Sequence, residues 1–183
     1  MRPYPQQREQ IYLGGLEAVR RRRRKVCTSR RYKYAWMRIE PCVEMPESDE
    51  EVPKIVSSKA ANEFIHEAVP FAGRPGEHFM VVCLNNKNVP IAVAVPFIGG
   101  RNSSVVDKSI VFQAVLLAGS VAFFVAHNHP SNETTPSPED VALSRSLKRA
   151  SELLGLTFLD SLVVTDDPGE YASLLDMGLL SGE

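Results

Sequence analysis

The chain has 183 residues, a formal charge of −1 and near-average apolar content, which suits one globular domain with an appendage. Its longest apolar run is far short of the roughly 20 residues that a membrane-spanning helix needs, and no apolar stretch follows the N-terminal charges, so neither a membrane segment nor a secretory signal is expected. Cys27, Cys42 and Cys83 are odd in number, widely spaced and free of any Cys-x-x-Cys pair, which argues for reduced thiols in a cytoplasmic protein and against cysteine ligation of a metal.

The neutral total is a cancellation. Ten of the 21 Lys and Arg residues lie between Arg20 and Arg38, whereas Glu40 to Glu51 is acidic. Ahead of the basic run, Ile11, Leu13, Leu16 and Val19 stand near helical spacing, but Gly14 and Gly15 interrupt them, so a short or frayed helix is the most this segment predicts. Tyr32, Tyr34 and Trp36 alternate with Lys33, Ala35 and Met37, which suits a short strand or an extended arm. Dense positive charge beside aromatic rings can attract phosphate and stack on bases, so nucleic acid is one expected partner of this arm. A solvated tail or a contact for an acidic partner is the plainer alternative. Glu44 to Pro53, acidic and with two prolines, reads as a linker. The expected division is therefore a basic arm and linker over 1–53 and a folded domain over 54–183.

Within the domain, Ser57 and Ser58 can cap a helix with an apolar stripe of Ala61, Phe64, Ile65 and Ala68, ended by Pro70. Residues 77–84 and 89–97 read as strands joined by the Asn85–Asn88 turn, hence a hairpin. Asp107 to Leu117 reads as a helix burying Ile110, Val111, Ala114 and Leu117. Val121 to Ala126 is wholly apolar and short, the pattern of a central strand buried on both faces. Pro138 to Leu154 reads as a helix with Val141, Leu143, Leu147, Ala150 and Leu154 near helical period, stopped by Gly155. Thr157 to Val164 is another strand, followed by a turn over 166–169. Mixed strands and helices of this kind predict an α/β sandwich with a mixed β-sheet and flanking helices. His66 is expected on the polar side of its helix, and His78 alternates away from Glu77.

The chemistry concentrates between His127 and Asp140. Residues i and i+2 of a strand point the same way, so His127 and His129 project together if the central strand continues past Ala126, while Asn128 points elsewhere. The prolines and small polar residues of 130–136 turn the chain. Ser137 as N-cap, Pro138 at the first helical position and acids in the first turn then open a helix that presents Asp140. Two imidazoles, one carboxylate and a fourth position left to water form the pattern of a catalytic zinc site rather than a structural one.

The spacing His127-x-His129, seven residues, Ser137, two residues, Asp140 resembles the JAMM signature of JAB/MPN-domain metalloproteins. Within it, His-Asn-His-Pro-Ser is most similar to the RadC-like branch. Further matches are Gly76-Glu77-His78-Phe79, Leu153-Leu154-Gly155 with Leu159-Asp160, and Tyr171-x-Ser173 with Gly178, so the resemblance spans about residues 57–180. Departures are Asn132 in place of the usual glycine, Ser161 in place of histidine, and the wording of 107–110. The resemblance implies a cytidine-deaminase-like α/β sandwich and a zinc-dependent metallohydrolase acting on an amide or isopeptide bond of a peptide or protein. It implies His127, His129 and Asp140 as the zinc ligands, Glu77 as general base and Ser137 as oxyanion stabiliser as well as helix cap. The alternative reading it carries is a DNA-repair-associated or nucleic-acid-binding protein. A deaminase is disfavoured, because the His-x-Glu and Pro-Cys-x-x-Cys ligands of zinc deaminases are missing.

Overall fold

The computed structural model describes residues 26–28, 33–35, 53–73, 76–99, 106–129 and 131–181. The expected N-terminal helix, Tyr32 and Trp36 of the arm, and the linker apart from Pro53 lie outside them. The chain divides into two compact units, residues 1–42 and 43–183. In the first, β1 (Val26–Thr28) pairs antiparallel with β2 (Lys33–Ala35), Val26 standing opposite Ala35. The alternating aromatic segment therefore contains a strand, and its partner β1 is an addition to what the sequence predicts.

The second unit begins with α1 (Ser58–Ala68), where the Ser57 side chain accepts a hydrogen bond from the Ala60 amide as N-cap. β3 (Glu77–Leu84) and β4 (Pro90–Gly99) form the expected hairpin. Its turn is stabilised by the Asn85 side chain, which accepts from the Lys87 and Val89 amides, and by Asn88, whose φ of 57° is a left-handed value that asparagine tolerates. There follow α2 (Lys108–Leu117), β5 (Ala122–Asn128), α3 (Pro138–Leu153), β6 (Thr157–Val164) and β7 (Tyr171–Ser173).

The strands form one sheet in the order β4-β3-β5-β6-β7. Only β5 and β6 are parallel, and α3 is the crossover that this pairing requires. β5 is thus the middle strand, and all seven of its residues are buried. Alternation sorts the core into two layers. Met80, Val82, Phe124, Leu162 and Val164 pack with Ile65 of α1 on one face. Val81, Phe123, Val125 and Val163 pack with Val111 and Val115 of α2 and Leu147 of α3 on the other. This is the α/β sandwich with a mixed sheet that the sequence predicts.

Three details differ. In α2 the buried residues are Val111, Phe112 and Val115, while Ile110 and Leu117 are each 39% exposed. That helix is apolar nearly all round, so its sequence does not select a face; packing against β3 and β4 does. In α3 Leu147 carries the burial and Leu154 lies half exposed beyond the helix end. His66 is not on a wholly polar face: its ring sits 5.1 Å from that of Phe71 and its Nε2 is enclosed.

Candidate metal centre

β5 ends where the chemistry begins. His127 is its penultimate residue and His129 follows its end, and the two Nε2 atoms face each other at 3.1 Å. Asp140, in the first turn of α3, closes the group: its Oδ1 lies 3.3 Å from His127 Nε2 and its Oδ2 lies 3.6 Å from His129 Nε2. One ligand atom from each of the three residues falls within a 4.8 Å cluster. Among the described residues this is the one group of three or more His, Cys, Asp or Glu side chains with metal-site geometry.

The local supports are specific. His129 Nδ1 bonds the Glu133 carbonyl at 2.9 Å, which makes Nδ1 the protonated nitrogen and turns the lone pair of Nε2 toward the cluster. Ser137 and Asp140 form a reciprocal capping box: the Asp140 amide donates to Ser137 Oγ at 3.1 Å, and Asp140 Oδ2 accepts from the Ser137 amide at 2.8 Å and its hydroxyl at 2.7 Å. The Ser137 hydroxyl is therefore engaged as donor and as acceptor. The loop between the ligands is tied down as well. Asn132, at φ 57°, donates its amide to the His129 carbonyl and accepts through Oδ1 from the Asp166 amide in the β6–β7 turn. A left-handed residue there explains why asparagine can stand where glycine is usual.

The electrostatics are those of a cation site. Burial alone pushes the Asp140 carboxyl upward, but hydrogen bonds from His127, His129 and Ser137 outweigh it and hold the group well below the usual carboxylate range. His129 is pushed up, chiefly by its hydrogen bond to Asp140, with burial opposing and the Glu133 carbonyl and the charges of Asp140 and Glu77 assisting. Two imidazole nitrogens 3.1 Å apart beside a carboxylate cannot both remain neutral acceptors without a proton or a metal ion between them. The donor set therefore fits a borderline-soft cation such as zinc.

Glu77 is half-buried at the first position of β3. It shares a strand face with Phe79, which stands opposite His127 in register and stacks on its ring at 6.4 Å. Glu77 thus stands on the face of the sheet that carries His127. His78 points the other way and is buried, its Nδ1 bonded to the Gly76 carbonyl. Cys83 is buried lower in β3, its thiol pushed up to about 11 by burial, which suits packing and not ligation.

Sequence reasoning overlooked Asn128. It is 3% exposed and its side chain accepts from the His78 amide at 2.7 Å while donating to the Gly76 carbonyl at 3.1 Å. The signal was its place in an otherwise apolar buried strand, where a polar side chain needs named partners. It also overlooked the cleft of about 530 Å³ between Thr134–Pro136 and β7, lined further by Asp176 and Met177.

An α/β sandwich whose middle strand and the residue just past it deliver two imidazoles, and whose next helix delivers a carboxylate, carries a group that could hold a metal ion. Residues 55–179 match the family described as RadC-like JAB domain, and the chain belongs to that family. Similar proteins include a UPF0758 protein of Staphylococcus haemolyticus, 44% identical over 102 residues, covering 56% of this chain and 44% of the relative. Another, from Shouchella clausii, is 36% identical over 129 residues, covering 70% of this chain and 54% of the relative. A third, from Clostridium kluyveri, is 38% identical over 108 residues, covering 59% and 46%. The chain spans about half the length of the curated relatives it matches. Among the described residues no helix is long and apolar enough to cross a membrane.

Proposed function

We propose that this domain is a zinc-dependent hydrolase that cleaves an amide bond in a peptide or protein. The observation that carries the reading is the convergence of His127 Nε2, His129 Nε2 and an Asp140 carboxylate oxygen at one strand end. These three side chains would hold the ion, with the Glu133 carbonyl orienting His129 and Ser137 orienting Asp140. A bound zinc supplies Lewis acidity toward a carbonyl and lowers the pKa of water toward neutrality.

Glu77 takes the proton from the attacking water and returns it to the leaving nitrogen, so one carboxylate serves as base and then as acid. Its place on the face shared by Phe79 and His127 supports this role. Ser137 acts first through Asp140, by capping α3; a part in stabilising an oxyanion requires its hydroxyl to turn from Asp140 Oδ2. The cleft between Thr134–Pro136 and β7 adjoins the loop that leads into Ser137 and has room for an extended chain.

The test is metal analysis of the purified protein together with a profile over amide substrates, with and without chelator. Glu77→Gln is expected to keep zinc and fold while turnover falls on the order of a hundredfold or more, because the amide cannot accept the proton. Unchanged turnover in that variant excludes Glu77 as the base, and chelator-insensitive turnover excludes the metal.

A further inference from the structure

We infer that Asn128 is a positioning residue for Glu77, a claim that rests on the reading of Glu77 as the base beside a bound zinc. Asn128 stands between the two histidine ligands in sequence but serves the opposite strand. Its amide group grips both neighbours of Glu77, accepting from the His78 N–H at 2.7 Å and donating to the Gly76 carbonyl at 3.1 Å.

The register explains why a side chain is needed. The ladder between β3 and β5 runs from Leu84↔Ala122 to Phe79↔His127 and stops there, while Asn128 still pairs with Val164 of β6 on its other side. The His78 amide and the Gly76 carbonyl lie just beyond that last pair. A buried backbone N–H without a partner is costly, and the His78 amide finds its acceptor in Asn128, while the Gly76 carbonyl, which also bonds His78 Nδ1, is tied a second time. The Asn128 side chain extends the ladder in place of missing backbone, and it does so at 3% exposure.

The pair of partners also fixes the residue type. One partner is a donor and the other an acceptor, so the side chain must offer both functions about one peptide width apart, as a carboxamide does. The reversed orientation sets N–H against N–H and oxygen against oxygen, so only one orientation is satisfied. Gly76, at φ 157°, enters β3 directly before Glu77, and the grip on its carbonyl holds the entry of the strand. Glu77 is bracketed on both sides. His127 and His129 on one element and Glu77 on another are thereby brought to a common origin by the residue between the two ligands.

The experiment titrates zinc alone into protein labelled with ¹³C at Glu carboxyl carbons, the Glu77 signal being assigned by its loss in Glu77→Gln. In the wild type the Glu77 resonance shifts as one equivalent of zinc binds. In Asn128→Ala and Asn128→Ser, the second being a smaller polar residue that cannot span both partners, zinc is still taken up and the Glu77 shift is largely lost. A full Glu77 shift in either folded variant overturns the inference. Loss of zinc uptake in both variants also overturns it, because Asn128 then serves the ligands and not the base. A wild-type protein that binds zinc with no Glu77 response removes the positioning claim alone; one that binds no zinc removes the metal reading and this claim together.

Discussion

Two carboxylates of this domain, Asp160 buried and Asp140 half-buried, are opposites. Asp160, on β6, is 5% exposed and its oxygens are filled by protein donors: the Ser161 and Leu175 amides on Oδ1 and the Ser173 hydroxyl on Oδ2. Burial is the largest influence on its carboxyl and pushes it upward despite those bonds. Asp140 is half-buried, and burial pushes its carboxyl upward too, yet the group is held down because its oxygens face two imidazoles. A buried acid saturated by amides and hydroxyls serves the fold, here by fastening β7 and the turn after it to β6. A half-buried acid facing imidazole nitrogens is arranged for a cation. Burial alone does not tell the two apart; the partners do.

The strongest way to break this comparison acts at the metal group. A His127→Ala, His129→Ala double variant is expected to fall from about one equivalent of zinc to nearly none, since three protein ligands leave little redundancy. Near-full zinc by elemental analysis would end the assignment. Asp160→Ala should do the reverse, leaving zinc content intact while lowering stability by roughly 2–4 kcal/mol in urea melts, because three donors lose their acceptor. A loss below about 0.5 kcal/mol, the range of an ordinary surface change, would show that Asp160 is not the anchor described.

Ser137→Ala is intermediate in kind. Removing an N-cap hydroxyl costs about 1 kcal/mol, and here it also frees Asp140 Oδ2 from one of its partners, so zinc affinity should fall as well. A stability loss with unchanged zinc affinity would confine Ser137 to capping. The smallest effect belongs to His66. Burial pulls its pKa below the ordinary 6.5, with the charges of Asp166 and Asp167 opposing, so protonation favours the unfolded chain. The stability it contributes is full above pH 6.5 and is lost as pH falls from there through the lower folded value. His66→Phe should flatten that part of a stability–pH curve, and an unaltered slope would assign it to another group.

Much of this was legible in the sequence because local chemistry fixed it. Glu77–Leu84 and Thr157–Val164 are strands with the predicted ends, and the Ser137-Pro138 start of α3 is set by capping groups within one turn. The convergence of His127 and His129 follows from strand alternation, and Asp140 from the cap. What was illegible depends on partners distant in sequence. The inward face of α2 is chosen by β3 and β4, since Ile110 and Val111 are equally apolar. Asn128 gave no sign of its partners because Gly76 and His78 lie about fifty residues earlier, and only the strand register joins them. The enclosure of His66 likewise depends on the ring of Phe71 after the helix has ended.

The parallel pairing of β5 with β6 has a consequence for the order of events as the chain folds. Because one strand, one loop and one crossover helix carry all three ligands within residues 127–140, the loop that must close to assemble them is short and its entropic cost small. Glu77 must instead be brought in by long-range docking of β3 along β5. On the proposed roles, ion capture and arming of the site are separable steps, and a chain that had gathered its ligands would stay inert until the hairpin docked.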